Sequence, residues 1–279
     1  MPIIILARLT FLEAVRRKIA LAAFLLGLAF LVLYGVGLYY IRATIPGGGP
    51  ADNLIREQIF SFLLMAGLYA VNFLSIAMGA LLAADTLAGE IGSGVIQTVA
   101  ARPIRRAEIV LGKWLGFAAL LAAYLLFMVG GTMGLIYAQT GYVAPQVPLG
   151  LSILYLECLL VMSVTLALSS RISTLATGGA IFGLYGLAFI GGWVEQIGAI
   201  FRNPTAVNIG VISSLLLPSE ALLRRASFVM TPPLAQTLGL GGGPLVVVSV
   251  PSPLMVAYGV VYLLLALGIA IRQFGGRDL

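Results

Sequence analysis

Polar side chains are scarce in this chain, and the few that stand in apolar surroundings are where chemistry would be found. Asn72 and Glu157 each sit well inside a long apolar run. A carboxyl group held in hydrocarbon is costly and is read by default as part of a substrate or ion path. The plainer alternative is a protonated or vestibule-facing bystander. The densest polar stretch is 85–113, where Asp85, Glu90 and Glu108 are set against Arg102, Arg105, Arg106 and Lys113. Within it Gly92, Ser93 and Gly94 break an incoming helix and start a new one. Val95, Ile96 and Val99 then give the new helix a short apolar face, and Pro103 ends it. A cross-helix of this kind is a docking lever for a partner protein; the same spacing also fits a charged turn with no partner.

Covalent chemistry is largely excluded. The 279 residues include no histidine and a single cysteine, Cys158. That removes Ser-His-Asp triads, His-ligated metals, disulfides within the chain and Cys-rich metal sites. The Gly112-Lys113 pair is followed by Trp114, and no phosphate-binding G-x-x-x-x-G-K-[ST] loop occurs. No catalytic residue, metal site or bound cofactor is therefore expected, and the chain is not an enzyme by itself. ATP and Mg, if used, belong on another chain.

The elements that must hold these residues are membrane helices. Hydrophobic residues make up 61% of the chain and charged ones 9%, with a mean hydropathy of +1.09, whereas soluble domains carry roughly a quarter charged residues. A bilayer core about 30 Å thick takes roughly 20 apolar helical residues to cross. Six runs qualify: Ile19–Ile41, Gln58–Ala84, Trp114–Ala138 (its helix starting near 108), Leu149–Ser169, Leu175–Val194 and Leu254–Ile271. No alternating barrel pattern appears, so the expected fold is all-α and polytopic. Residues 1–18 precede the first span, 85–107 form the loop between the second and third, and 195–253 connect the fifth to the sixth.

Lys and Arg set the orientation. With the N-terminus cytoplasmic, the inside gathers most of them, among them Arg16, Arg17, Lys18, Arg102, Arg105, Arg106 and Lys113. The outside holds Arg42, Arg56, Arg202, Arg224 and Arg225. Both termini are then cytoplasmic in a plasma or inner membrane. The net charge of +6 follows from this bias, and no aromatic-interleaved basic patch points to nucleic acid.

Three further features complete the reading. Residues 3–18 suggest a helix in the interface, with Ile4, Phe11, Leu12 and Val15 on one side and Thr10, Glu13 and Arg17 opposite; a topogenic basic flank is the alternative. In the 195–253 connection, the apolar run Ala206–Leu217 is too short to cross, and Ser219 is placed to N-cap a short helix with Glu220 in its first turn. Gly112/Gly116, Gly130/Gly134 and Gly179/Gly183 are small-residue pairs that permit close helix packing.

The pattern G-E-x-x-x-G, an apolar octet, R-P-x-x-R and then I-x-L-G-K resembles the hallmark of ABC-2-type transporter permeases. Glu90, Gly94, Pro103, Arg106, Gly112 and Lys113 occupy the matching positions. The stretch Thr10–Lys18 resembles that family's interfacial helix, and Pro218–Arg225 a motif before the last span. Arg102 and the extra Arg105 depart from the pattern. The chain is most similar to the six-span subgroup that includes the permease of the nitrous-oxide-reductase maturation system. The resemblance implies a cytoplasmic coupling helix within 85–107 and outer interfacial helices over a pathway. It also implies a second permease subunit, two separately encoded ABC ATPases that carry ATP and Mg, and surrounding lipid. The expected function is the permease half of an ATP-driven exporter. The rival is a stand-alone ion-coupled carrier, which would call for internal repeats and broken charged helices at the midplane; no convincing repeat is visible.

Overall fold

The structure is a computed structural model, and it describes residues 2–44, 50–92, 105–232 and 247–276. Every regular element among them is helical: α1 (Pro2–Arg16), α2 (Lys18–Thr44), α3 (Pro50–Gly92), α4 (Arg106–Thr140), α5 (Val147–Ser169), α6 (Thr174–Ile200), α7 (Pro204–Leu216), α8 (Ser219–Val229) and α9 (Leu254–Gly275). Helices α2 to α6 and α9 contain six segments long and apolar enough to cross a membrane, as a polytopic membrane protein requires. Helices α7 and α8 meet at a bend of 105°, with Pro218 at the corner.

Local signals set several helix ends. Gly141 closes α4 in the left-handed region (φ 71°), its N–H donating to the Tyr137 carbonyl at 2.8 Å. Asn203 opens α7 by accepting from the N–H groups of Thr205 and Ala206 at 3.0 and 3.3 Å, with Pro204 in the first turn. Ser219 differs from its sequence assignment. It is the first residue of α8 rather than its cap, and its buried Oγ has no partner among the described residues; Pro218 occupies the cap position, because the chain has to turn sharply there.

The bundle has two distinct ends. At one, α1 lies across the start of α4. The inward side of α1 has Thr10 and Ala14 buried and Leu6 and Phe11 partly buried against the core, while Ile4, Ile5, Leu9, Leu12 and Val15 are exposed, as on a helix that lies in the membrane interface. Close approach decides this. A methyl group at Gly116 would lie 2.7 Å from the Ala7 carbonyl oxygen and from Thr10 Cβ, and one at Gly112 would lie 2.5 Å from Leu6 Cβ. Among the described residues nothing lies within 4 Å of such a methyl at Gly130, Gly134, Gly179 or Gly183, so there only Gly112/Gly116 of the three glycine pairs packs against another helix.

At the other end, α7 folds back along α6. Methyl groups at Gly191, Gly198 and Gly210 would collide with Ser213, Ala206 and Glu195 respectively. Tyr258 and Tyr262 of α9 donate to the Leu215 and Leu216 carbonyls at 2.7 and 2.8 Å, which satisfies two acceptors that the end of α7 would otherwise leave open. Between the ends, buried apolar side chains such as Leu68, Leu121, Leu154 and Leu160 form the core. Leu25, Leu33, Leu264 and Leu265 point outward, as helices bathed in lipid require.

Candidate functional site

Among the described residues, three polar assemblies lie along the bundle. The first is at the α1 end, beside the segment expected to couple to a partner. Arg17 donates through Nη1 to Asp85 Oδ2 and through Nη2 to Glu13 Oε1, both at 2.7 Å. Asp85, read from sequence as part of the loop, thus ties the α1–α2 joint to α3. Helix α3 continues to Gly92 and carries the backbone of Glu90 in its last turns. Gly94, Val95, Ile96, Val99, Arg102 and Pro103 lie outside the described residues. Where the chain resumes, Arg105 is exposed and its N–H donates to Glu108 Oε2 at 3.1 Å, fastening the start of α4. Arg106 Nη1 donates to the Phe274 and Gly275 carbonyls at 3.5 and 3.3 Å. It therefore covers the C-terminal carbonyls of α9, where a cation also complements the helix dipole. Ser170 Oγ donates to Gln273 Oε1 at 2.8 Å and joins the end of α5 to the same helix.

The second assembly is mid-bundle and unites the two pathway candidates. Asn72 Nδ2 donates to Glu157 Oε1 at 3.0 Å, between α3 and α5. Both side chains are fully buried, so neither reaches the surface of the chain as it stands here. Asn72 Oδ1 and Glu157 Oε2 have no partner among the described residues. These two orphans, an amide carbonyl and a carboxyl oxygen, are the complementary halves of a second hydrogen bond when Glu157 carries its proton.

The third assembly, at the α7–α8 end, was missed by the sequence reading. Arg224 Nη2 donates to Glu195 Oε2 at 2.7 Å, and the two side chains are 1% and 7% exposed. Ser249 Oγ donates to Glu195 Oε1 at 2.5 Å, and Arg224 Nη1 donates to the Ser249 carbonyl at 3.2 Å. Gln196 Oε1 accepts from the N–H groups of Val248 and Ser249 at 2.9 and 2.8 Å. Together they bind α6, α8 and the strap 247–253 into one unit. The charge of Glu195 suggested that the fifth span stops at Val194, yet α6 runs on to Ile200, because Arg224 and Ser249 satisfy that carboxylate inside the protein. The signal in the sequence was Arg224 itself, a charge in apolar company that needs a partner.

Geometry of this kind is suited to holding and moving helices rather than to bond chemistry. Residues 4–279 match a protein family described as ABC-2 family transporter protein. Among curated proteins, none matches the chain.

Proposed function

This chain belongs to the ABC-2 transporter family, whose members are membrane components working with an ABC ATPase, and from that premise we propose that it is the permease half of an exporter driven through residues 85–107. Two permease subunits side by side, identical or not, would form the pathway, with two ATPases beneath them. The Lys/Arg distribution puts the α1 end and both termini on the cytoplasmic side. Six candidate spans within the family support kinship with the subgroup of the nitrous-oxide-reductase maturation permease. ATP and Mg, held by the partner, would supply the driving free energy.

The observation that carries the coupling is that both flanks of the 93–104 segment are tied to helices other than their own. On one side Asp85 of α3 holds Arg17, at the α1–α2 joint; on the other Arg106 of α4 holds the end of α9. A push delivered at the segment therefore reaches five helices at once. In this reading Val95, Ile96 and Val99 bury apolar area against the ATPase, each large side chain contributing about 1.5–3 kcal/mol when fully covered. Glu90, Arg102 and Arg105 steer the contact by charge, with Gly94 and Pro103 bounding it. Arg106 acts inside the chain, relaying motion to α9. Asn72 and Glu157, buried together, serve as the tie that rearrangement of α3 against α5 must open before a pathway reaches them.

Ile96→Asp places an unpaired charge in the contact and should abolish co-purification of the ATPase. Glu90→Lys should leave the membrane bundle intact and uncouple ATP hydrolysis from transport in reconstituted vesicles. Full complex and full transport in both variants would reduce this segment to a turn.

A further inference from the structure

Between α5, α8 and α9 lies a cavity of about 490 Å³, within the size range of small-molecule sites. Its walls are Leu149, Ile153 and Leu156 of α5 and Val256 and Val260 of α9, and α8 contributes Arg225. From Leu149 to Leu156, and from Pro253 to Val260, the lining runs inward from the bundle end by about 10 Å at 1.5 Å per residue. The cavity is thus an apolar slot between two membrane-crossing helices, with a guanidinium on the helix that lies across that end.

Two adjacent arginines of α8 differ in their company. Arg224, one residue earlier, is neutralised by Glu195. Arg225 has no carboxylate partner among the described residues. Its contacts are the Pro251 carbonyl, 3.4 Å from Nη1, and the face of the Phe228 ring, 5.6 Å from the guanidinium carbon. Both leave donors free, since a guanidinium has five N–H groups. It is half-buried, where an unneutralised cation gains most from a bidentate anion. We propose that this slot binds an anionic phospholipid from the surrounding bilayer, its phosphate on Arg225 and one acyl chain between α5 and α9. Seated there, the lipid bridges α8 to two spans and fastens the α7–α8 end. The inference needs only a membrane-embedded chain and is independent of ATPase coupling.

The test is native mass spectrometry of the purified full-length chain in detergent, titrated with phosphatidylglycerol or phosphatidylcholine. The wild type should retain phosphatidylglycerol at least about fivefold more tightly, the effect of one well-placed basic residue on an anionic lipid. Arg225→Gln should erase that preference and Arg225→Lys should keep most of it. Val256→Trp fills the slot and should remove tight binding of phosphatidylglycerol with Arg225 still in place, which also decides the matter if Arg225→Gln fails to fold. Equal retention of the two lipids by the wild type, an undiminished preference in Arg225→Gln, or undiminished binding in Val256→Trp would overturn the proposal.

Discussion

The two ends of the bundle each hold an arginine–carboxylate pair at 2.7 Å, in opposite surroundings. Arg17 and Asp85 are 20% and 42% exposed; Arg224 and Glu195 are 1% and 7% exposed. Equal distance does not mean equal consequence. A pair in water exchanges hydration for a screened attraction and contributes little. A buried pair has lost its hydration, so each partner depends on the other, and removing one leaves a charge with nothing to replace the water. The α1 end is accordingly held by close backbone packing with a weak clasp over it, and the α7–α8 end by an ion pair inside it. If the proposed coupling through 85–107 holds, that end has to shift as a partner binds and releases, which suits the weaker clasp.

The largest effect expected to test this contrast is at the buried pair. Arg224→Met should lower the stability of the purified protein by about 3–5 kcal/mol, read from its unfolding midpoint in detergent, and Glu195→Met added to it should recover much of the loss. Arg17→Met should cost at most about 1 kcal/mol. Comparable losses from Arg224→Met and Arg17→Met would erase the distinction between the ends.

Backbone packing gives the next effect. Gly116→Val forces α1 away from α4 and should cost about 1–3 kcal/mol, seen as easier proteolytic removal of the first 16 residues. Gly134→Val, where open space surrounds the glycine, should leave the same digestion pattern unchanged. If both variants behave alike, close approach is not what seats α1.

The smallest effect is electrostatic. A double-mutant cycle on Arg17 and Asp85 should give a coupling below about 1 kcal/mol that fades as salt is raised, since exposed charges are screened. The Arg224–Glu195 coupling should persist across the same salt range. A coupling at Arg17 that ignores salt would mean that the α1 clasp is closed to water in the membrane.

That Asn72 and Glu157 stand out was legible from each alone, because a polar group in an apolar run is exceptional wherever it is found. That they bond to each other was not, since 85 positions separate them and no local period links two helices. The apolar side of α1 was visible from its wheel, but which of its residues meet α4 was not. In a membrane the apolar face is free to point outward, and the small residues Ala7, Thr10 and Ala14 are what admit a neighbouring helix. Arg106 was legible as a charge beside the proposed coupling segment, while its use on the carbonyls of Phe274 and Gly275 depends on the last helix returning to the same end.

What the sequence determined by itself is therefore what the bilayer reads one segment at a time. Hydrocarbon accepts roughly 20 apolar residues as a closed helix and rejects charges, and that test needs no knowledge of neighbours. Tertiary structure decided every pairing that cancels a cost left over from it. Glu195 stays helical because Arg224, 29 residues later, reaches it, and the end of α7 is satisfied because Tyr258 and Tyr262 arrive from α9. Insertion is a property of composition over a short window. Satisfying a buried charge or carbonyl is a property of distance in space, and the order of residues along the chain does not contain it.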